Sequence, residues 1–331
     1  MRIGLAGLGR IGMVHGDTLR AIDAVDSLVV ADADPARVRA QADRLGAQAV
    51  DSPEALIAAG LDGLVIAATT AAHAELIIAG VRAGLPVFCE KPVAGDAEST
   101  LAVVREVAGA PVQIGFQRRF DAGFAAARAA VAAGRLGWVH TVRAATLDPA
   151  PPPAAYLANS GGFFRDCGVH DFDAIRWVTG REVTEVYAAG ANHGAELFRE
   201  HGDVDAVAAL LTLDDGAFAL VSGTRYNAAG YDVRLEVLGS LQGIAAGLDD
   251  GLPLRSTEPG VTFPAGPPYR QFTDRFRAAY IAEIRDFVDL VAGRGTVTCS
   301  VHEALAAFYV AEACERSRRE RRAVRLDEVR R

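Results

Sequence analysis

The feature that most constrains what this chain can fold into is a glycine-rich turn near its start. An apolar segment at residues 2–6 runs directly into Gly-Leu-Gly-Arg-Ile-Gly at residues 7–12, and a helical pattern follows to about residue 24. In such a turn the first glycine permits the sharp bend, the second lets a pyrophosphate approach the backbone, and the third lets helix and strand pack closely. The free N–H groups at the helix start attract phosphates, so the turn predicts a dinucleotide site. The predicted cofactor contacts here are Gly7, Gly9, Arg10, Ile11 and Gly12.

An acidic residue at the end of the second predicted strand agrees with this interpretation. The strand covers residues 27–31, and Asp32 follows it, 25 positions after Gly7. A carboxylate at this place accepts hydrogen bonds from the ribose hydroxyls of the cofactor and repels a 2′-phosphate. The next three residues, Ala-Asp-Pro, supply no cation to offset that repulsion. The sequence therefore predicts NAD as the cofactor and disfavours NADP.

Strand and helix patterns alternate up to about residue 115, which is typical of βαβ units and a parallel sheet. After about residue 120 the pattern changes to consecutive strands joined by short turns, which predict antiparallel pairing. These later strand patterns lie near residues 182–191, 204–213, 217–224 and 231–238. We therefore predict an α/β Rossmann domain over residues 1–119 and an α+β domain with a mostly antiparallel sheet over residues 120–331.

Composition and charge exclude several function classes. The formal net charge of −8 argues against a protein that binds nucleic acid through a basic surface. No apolar run reaches the roughly 18 residues of a membrane span, and the N-terminus lacks the pattern of a signal peptide. The four cysteines have no CxxC or paired spacing, as expected of reduced thiols. We therefore expect a cytoplasmic protein with neither a nucleic-acid nor a membrane partner.

The chain has 34 basic residues, and only one of them, Lys91, is a lysine. Lysine carries a compact ammonium whose pKa changes with burial, so arginine does not replace it everywhere. Lys91 lies in a Glu-Lys-Pro sequence directly after the predicted strand at residues 86–89. Ligands of parallel sheets bind outside the carboxyl ends of the strands, so this end is expected to face the cofactor.

Three neighbouring residues are also predicted on the cofactor side. Thr69 follows the predicted strand at residues 63–68, and Glu90 is expected to position its loop or the nicotinamide end. His73 lies four residues after Thr69, and a role at the cofactor edge and a plain surface role are equally good interpretations of it.

The second half of the chain offers a carboxylate and an imidazole at helical spacing. Asp166 and His170 are four residues apart, so on a helix they share one face. A carboxylate beside an imidazole is a usual arrangement for a general base near neutral pH. Asp173 lies one turn further along, but no second cluster of His or Cys completes a metal site. We therefore predict no metal.

These motifs resemble those of the Gfo/Idh/MocA oxidoreductases, and the resemblance covers nearly the whole chain. It is strongest to the inositol dehydrogenases, because residues 115–121 read Gly-Phe-Gln-Arg-Arg-Phe-Asp and residues 230–232 read Gly-Tyr-Asp. The resemblance implies that the second domain has a large open sheet and that the protein forms a homodimer or homotetramer. It also implies a catalytic set of Lys91, Asp166 and His170. The implied substrate contacts are these three residues together with Arg118 and Tyr231.

The predicted function is NAD-dependent oxidation of a secondary ring alcohol on an inositol-like cyclic polyol or sugar. We expect His170 to take the hydroxyl proton, Asp166 to orient the imidazole, and Lys91 to stabilise charge on the oxygen. Thr146 stands near a position where inositol dehydrogenases often carry histidine, and a proline-rich loop follows it. This departure bears on which polyol is used and not on the reaction type. Two alternatives to this function also stay open: a sugar or sugar-phosphate dehydrogenase or reductase of a biosynthetic pathway, and a non-catalytic sugar or nucleotide sensor.

Overall fold

The computed structural model describes residues 1–158 and 160–330, which form two compact units. The first unit consists of Met1–Gln117 and Ala278–Leu305, and the second consists of Arg118–Arg277 and the C-terminal segment from Ala306. The change of unit after Gln117 lies beside the boundary predicted after residue 119. The return of Ala278–Leu305 to the first unit differs from the sequence analysis, which placed that segment in the second domain.

Strands and helices alternate regularly along the first part of the first unit. These elements are β1 (Arg2–Ala6), α1 (Arg10–Arg20), β2 (Ser27–Ala31), α2 (Pro35–Leu45), β3 (Gln48–Ala49), α3 (Pro53–Ile57), β4 (Gly63–Ile66), α4 (Thr70–Arg82), β5 (Val87–Glu90), α5 (Ala97–Glu106) and β6 (Val112–Gly115). Within the described residues the sheet has six parallel strands in the order β3-β2-β1-β4-β5-β6. The strand order reverses between β1 and β4, and ligands of such sheets bind outside the strand ends at that point.

A helix from late in the chain completes the core of the first unit. This helix carries Ile284, Phe287 and Val288 at the i, i+3, i+4 spacing of an apolar face. All three are buried in one cluster with side chains of the parallel sheet, including Leu5 and Phe88. Burial of this face explains why the segment belongs to the first unit, although its position in the sequence suggests the second.

The second unit contains most of the remaining elements. In chain order the later elements are α6 (Ala122–Ala132), β7 (Val139–Leu147), α7 (Ala154–Leu157), α8 (Val169–Thr179), β8 (Val183–Ala191), α9 (Leu197–Glu200), β9 (Ala206–Leu213), β10 (Phe218–Thr224), β11 (Asp232–Gly239), β12 (Gly243–Ala246), α10 (Phe272–Arg275), α11 (Arg277–Val291), α12 (Val301–Glu320) and β13 (Val324–Arg325). Of these, α11 is the helix that completes the first core. In the described part of the chain, no helix is both long and apolar enough to cross a membrane.

The sheet of the second unit is open and mostly antiparallel, as predicted. Its described strands pair in the order β12-β11-β7-β10-β9-β8-β13, and β7 and β10 form a parallel pair within it. Residues along β9 and β10 alternate between buried and exposed positions, so one face is packed and the other is bare. Large apolar side chains lie exposed on the bare face: Tyr187, Leu210, Phe218 and Leu220.

The helix predicted at residues 166–179 begins with an irregular turn. Residues Phe164–Gly168 form a π-helical turn, and α8 continues from it and ends at Gly180, which adopts a left-handed conformation (φ +66°). π-helical turns in longer helices are rare and are frequent at functional sites. Asp166 lies in this turn and His170 in the first turn of α8, so the structure places both on one continuous helical segment.

Candidate active site

The glycine turn of the first unit is built as predicted. Gly7 has a φ of +95° and donates its N–H to Ala31 O at 2.8 Å. A Cβ on Gly12 would lie 2.0 Å from Gly7 O, so only glycine permits this packing of α1 against the turn. A Cβ on Gly9 would meet no heavy atom of the described residues within 4 Å. Gly7 and Gly12 are therefore required by the fold, whereas Gly9 leaves open space where a phosphate can approach.

The Asp32 side chain accepts a hydrogen bond from the glycine turn and forms an ion pair with an arginine. Its carboxylate accepts the Leu8 N–H at 2.7 Å and the Asp34 N–H at 2.9 Å. The Arg37 guanidinium lies 3.1 Å from the same carboxylate, on α2. Arg37 lies beyond the three residues that follow Asp32, and the first turn of α2 brings its side chain back to the carboxylate, so the sequence does not indicate this pair.

Glu90, at the end of β5, is half-buried and pairs with a buried histidine that the sequence does not single out. His15 Nε2 lies 2.7 Å from Glu90 Oε1, and the ring packs edge-on against Phe88 and Tyr280. A Cβ on Gly115, at the end of β6, would lie 3.2 Å from Glu90 Oε2. The Glu90 carboxylate is therefore enclosed between α1 and the end of β6, directly before Lys91.

The region after β4 contains the other predicted cofactor-side residues. Thr69 is the exposed residue that precedes α4, as expected for a residue at the sheet edge. His73 is buried, so the surface interpretation is wrong. Its Nδ1 lies 2.7 Å from Pro92 O and its Nε2 lies 3.1 Å from Ala68 O. His73 thus joins the β4 end to the backbone after Lys91.

The second unit brings Arg118, Thr146 and Asp171 into one buried cluster. Arg118 donates to Asp171 Oδ1 at 2.5 Å and to Thr146 Oγ1 at 2.8 Å, and the Thr146 hydroxyl bonds the same carboxylate. Burial raises the pKa of Asp171, although the Arg118 charge opposes that shift. Two strong hydrogen bonds hold Arg118 against β7 and α8, so it also stabilises the helix that carries His170.

Asp166 is held by two side chains that the sequence analysis missed. The Tyr156 hydroxyl donates to Asp166 Oδ1 at 2.7 Å, and Arg225 Nη2 donates to Oδ2 at 2.8 Å. Arg225 is 2% exposed and also donates to Asp148 and to Cys167 Sγ, each at 2.9 Å. A buried guanidinium stabilises an ionised carboxylate, so Asp166 is fitted to orient an imidazole through its negative charge.

Tyr231 belongs to the same cluster. It is buried directly before β11, and burial raises the pKa of its hydroxyl while the Arg118 charge opposes the shift. Asp148 and Asp171 also lie within electrostatic range of it. The second unit therefore brings together Asp166, Arg118 and Tyr231 from three separate predicted motifs, with half-buried His170 next to Asp171 in the chain. Lys91 belongs to the first unit.

No group of three or more His, Cys, Asp or Glu side chains suited to a metal ion occurs in residues 1–158 and 160–330. Asp166 and Asp173, which the sequence analysis weighed as ligands, instead face arginines. Asp173 forms a buried ion pair with Arg119, with hydrogen bonds of 2.6 and 2.9 Å.

Comparison with known proteins agrees with this architecture. Residues 1–117 match a family model described as an oxidoreductase family with an NAD-binding Rossmann fold, and residues 124–245 match the Gfo/Idh/MocA C-terminal domain. A myo-inositol dehydrogenase (Hyg17) of Streptomyces leeuwenhoekii is 41% identical over 88% of this chain and 89% of its own length. An inositol 2-dehydrogenase of Rhizobium meliloti is 37% identical over 98% of this chain and 99% of its own length.

A solved structure extends the comparison to bound ligands. The scyllo-inositol dehydrogenase of Lactobacillus casei with bound NAD(H) and scyllo-inositol superposes with a TM-score of 0.88 at 27% identity. The alignment covers 99% of each chain. Both units of the present chain thus have counterparts of known fold, and the chain belongs to the Gfo/Idh/MocA family of oxidoreductases.

Proposed function

We propose that the protein oxidises a secondary ring alcohol of an inositol-like cyclic polyol, with NAD as the hydride acceptor. The observation that carries the proposal is that buried Arg225 and exposed Tyr156 hold the buried Asp166 carboxylate four residues from His170. Relatives at 37–41% identity are inositol dehydrogenases, which supports the same reaction class. A carboxylate held by a guanidinium and close in the chain to an imidazole supports the assignment of proton transfer to His170.

In this mechanism each side chain has one task. His170 takes the hydroxyl proton as general base, and the Asp166 carboxylate stabilises the imidazolium that forms. Lys91 donates a hydrogen bond to the same oxygen and stabilises negative charge that develops there. NAD, when bound, accepts the hydride. The glycine turn is suited to its pyrophosphate, because Gly9 leaves open space at the start of α1.

The charges of the second unit favour a neutral polyol over a sugar phosphate. Arg118 and Arg225 both donate to carboxylates, namely those of Asp171, Asp148 and Asp166. Both guanidiniums are thus already bonded to carboxylates, which leaves less positive charge in this cluster for a doubly charged phosphate. The sugar-phosphate alternative therefore has less support than a neutral cyclic polyol.

A substrate panel tests the function directly. Absorbance at 340 nm is followed with NAD and a set of inositols, neutral sugars and sugar phosphates. We expect turnover with at least one inositol and none with sugar phosphates. Activity only with sugars supports the biosynthetic alternative, and tight NAD binding without turnover supports the sensor alternative.

Two substitutions test the roles of single residues. Lys91→Arg and His170→Ala are expected to lose most of the turnover while they keep NAD affinity, and wild-type rates in either variant would remove that residue from the mechanism.

The preference for NAD over NADP is proposed from Asp32. Its carboxylate accepts the N–H of Leu8, which lies in the glycine turn, and pairs with the Arg37 guanidinium. Asp32→Ser removes the negative charge and frees the Arg37 guanidinium to meet a 2′-phosphate. We expect the ratio of kcat/KM for NADP to that for NAD to rise at least about tenfold, which corresponds to about 1.4 kcal/mol. The control Asp32→Ser/Arg37→Gln should lose most of that gain, and an unchanged ratio in Asp32→Ser would exclude Asp32 from this role.

A homodimer or homotetramer is proposed from the bare sheet face of the second unit. Contiguous exposed apolar side chains usually mark an interface, and a second copy of this chain offers a matching surface. Light scattering coupled to gel filtration should report an oligomer for the wild type. Leu210→Arg/Leu220→Arg places charges on this face and should yield monomers. A monomeric wild type would contradict the proposal.

A further inference from the structure

Two of the histidines are buried, both in the first unit, and neither is used by the mechanism above. His15 is 0% exposed and His73 is 2% exposed, whereas the others, all in the described part of the chain, are partly or fully exposed. A buried imidazole needs hydrogen-bond partners, because leaving its nitrogens unpaired costs about 1–3 kcal/mol each. One hydrogen-bond partner of each ring belongs to a neighbour of Lys91: Glu90 for His15 and Pro92 for His73.

The first ring acts through the residue before Lys91. His15 lies on α1, the helix that begins at the glycine turn, and its Nε2 bonds the Glu90 carboxylate at 2.7 Å. The ring is fixed by edge-on packing at 5.3 Å from Phe88 and 6.0 Å from Tyr280, measured between ring centroids. The bond therefore connects the helix of the dinucleotide site to the end of β5.

The second ring acts through the residue after Lys91. His73 lies on α4 and its Nδ1 is 2.7 Å from Pro92 O, while its Nε2 is 3.1 Å from Ala68 O. A carbonyl oxygen can only accept, and a neutral imidazole carries one N–H, so we assign that N–H to Nδ1, the nitrogen that lies nearer to its carbonyl, as the donor to Pro92 O. The Lys91 backbone is thus held from α1 through Glu90 and from α4 through Pro92.

We infer that His15 and His73 are positioning residues that fix Lys91 from both sides. The inference rests on the proposed function, in which the Lys91 ammonium contacts the reacting alcohol. A hydrogen-bond donor stabilises developing charge only at a defined distance, and misplacement by about 1 Å costs on the order of 10²-fold in rate. Lys91 is half-buried at the end of a strand, so two anchors on its neighbours restrict where its side chain begins.

Amide substitutions test this geometry, because the two rings bond the neighbours of Lys91 through different nitrogens, Nε2 in His15 and Nδ1 in His73. Glutamine places its amide nitrogen close to the position of histidine Nε2, and asparagine places its own close to Nδ1. We expect His15→Gln and His73→Asn to retain kcat within about 3-fold, since each keeps the bond toward the Lys91 segment. His15→Asn and His73→Gln should lower kcat about 30-fold or more, within the range that small misplacements cause.

A role in folding alone would not make Gln the tolerated residue at position 15 and Asn the tolerated residue at position 73. NAD affinity, measured by tryptophan or NADH fluorescence, should change less than about 3-fold in all four variants, so the loss appears in kcat. His302→Gln, at an exposed histidine, is the matched control and should behave as the wild type. If His15→Asn does not fold, Glu90→Asp shortens the other partner by one methylene and should give the same loss of kcat.

A second readout does not depend on turnover. Because Lys91 is the single lysine, protein labelled with ¹³C,¹⁵N-lysine gives one backbone amide signal and one Cε signal, both from Lys91. These signals should shift in His15→Asn and His73→Gln and stay close to wild type in the two matched variants. An inactive wild type would refute the proposed function and leave this test intact. Equal losses in the Asn and Gln variants at each position, or unmoved Lys91 signals, would overturn the inference.

Discussion

Substitution of two glycines in the same turn should separate a requirement of the fold from a requirement of the cofactor. Gly12→Ala adds a Cβ that would lie 2.0 Å from Gly7 O, a backbone atom that cannot rotate away. Overpacking of this kind costs about 1–3 kcal/mol, and the upper end applies because the turn itself must move. Alanine regains about 1 kcal/mol of helix propensity in α1. The expected net loss of stability is therefore about 2 kcal/mol, or about 4–8 °C in Tm.

Gly9→Ala is expected to behave in the opposite way. Gly9 precedes α1 with a φ of −71° and a ψ of −168°, which any residue adopts, and a Cβ there would meet no described heavy atom within 4 Å. The gain of about 0.4–1 kcal/mol from a less flexible unfolded chain roughly offsets the poorer cap, so Tm should change little. The methyl group does occupy the space through which a phosphate approaches. Loss of one hydrogen bond to a charged group, about 1.5–3 kcal/mol, would weaken NAD binding about 10–100-fold.

The assay compares Tm without cofactor and the Kd for NAD in both variants and in the wild type. Gly95→Ala is the control, because Gly95 has an ordinary φ and a Cβ there would also meet no described heavy atom within 4 Å. Wild-type NAD affinity in Gly9→Ala would refute the assignment of this opening to a phosphate. A wild-type Tm in Gly12→Ala would refute the clash argument.

Two further predictions concern charged groups of the second unit. Arg225→Met leaves the Asp166 and Asp148 carboxylates without their shared cation, so urea unfolding should report a loss of about 3 kcal/mol, with part of it recovered in Asp148→Asn/Arg225→Met; a loss below about 1 kcal/mol would contradict the role of the pair. The hydrogen bond from Arg322 lowers the pKa of Glu328 from 4.5 to about 2. A lowered pKa in the folded state adds stability above the unfolded pKa, and that stability is lost as the pH falls through the folded pKa. The Tm difference between wild type and Glu328→Gln should therefore be largest near pH 7 and disappear by about pH 2, and a difference independent of pH would contradict it.

The parts of the fold that follow from local sequence signals were predictable. The glycine turn, Asp32 and the alternating elements of the first 115 residues each depend on backbone conformation or periodicity within a short window. The boundary predicted after residue 119 rests on a signal of the same kind, since the strand and helix pattern changes there. The open sheet of the second unit was expected from the family resemblance, and its mostly antiparallel pairing from short turns between consecutive strands.

Other features depend on contacts between distant segments, which no local window contains. The return of Ala278–Leu305 to the first unit is decided by which core receives the apolar face of α11. The parallel pairing of β7 with β10 places strands about 80 positions apart in the chain side by side. Arg225 is one of many arginines in the sequence, and only its burial among Asp148, Asp166 and Cys167 distinguishes it.

His15 lies between these two cases. On α1 it shares a face with Gly12 and Leu19 at i−3 and i+4, so helical spacing alone places it among the buried positions. A polar residue on the buried stripe of a helix must have a partner, because an unpaired imidazole is costly in the interior. The spacing could therefore have identified His15 as a residue with an interior hydrogen bond, although not Glu90 as its partner. The strand that carries Glu90 is separated from His15 by 75 residues, and only the parallel sheet brings its carboxyl end beside α1. Sequence patterns of this kind thus predict that a contact exists, and the topology decides which chemistry it serves.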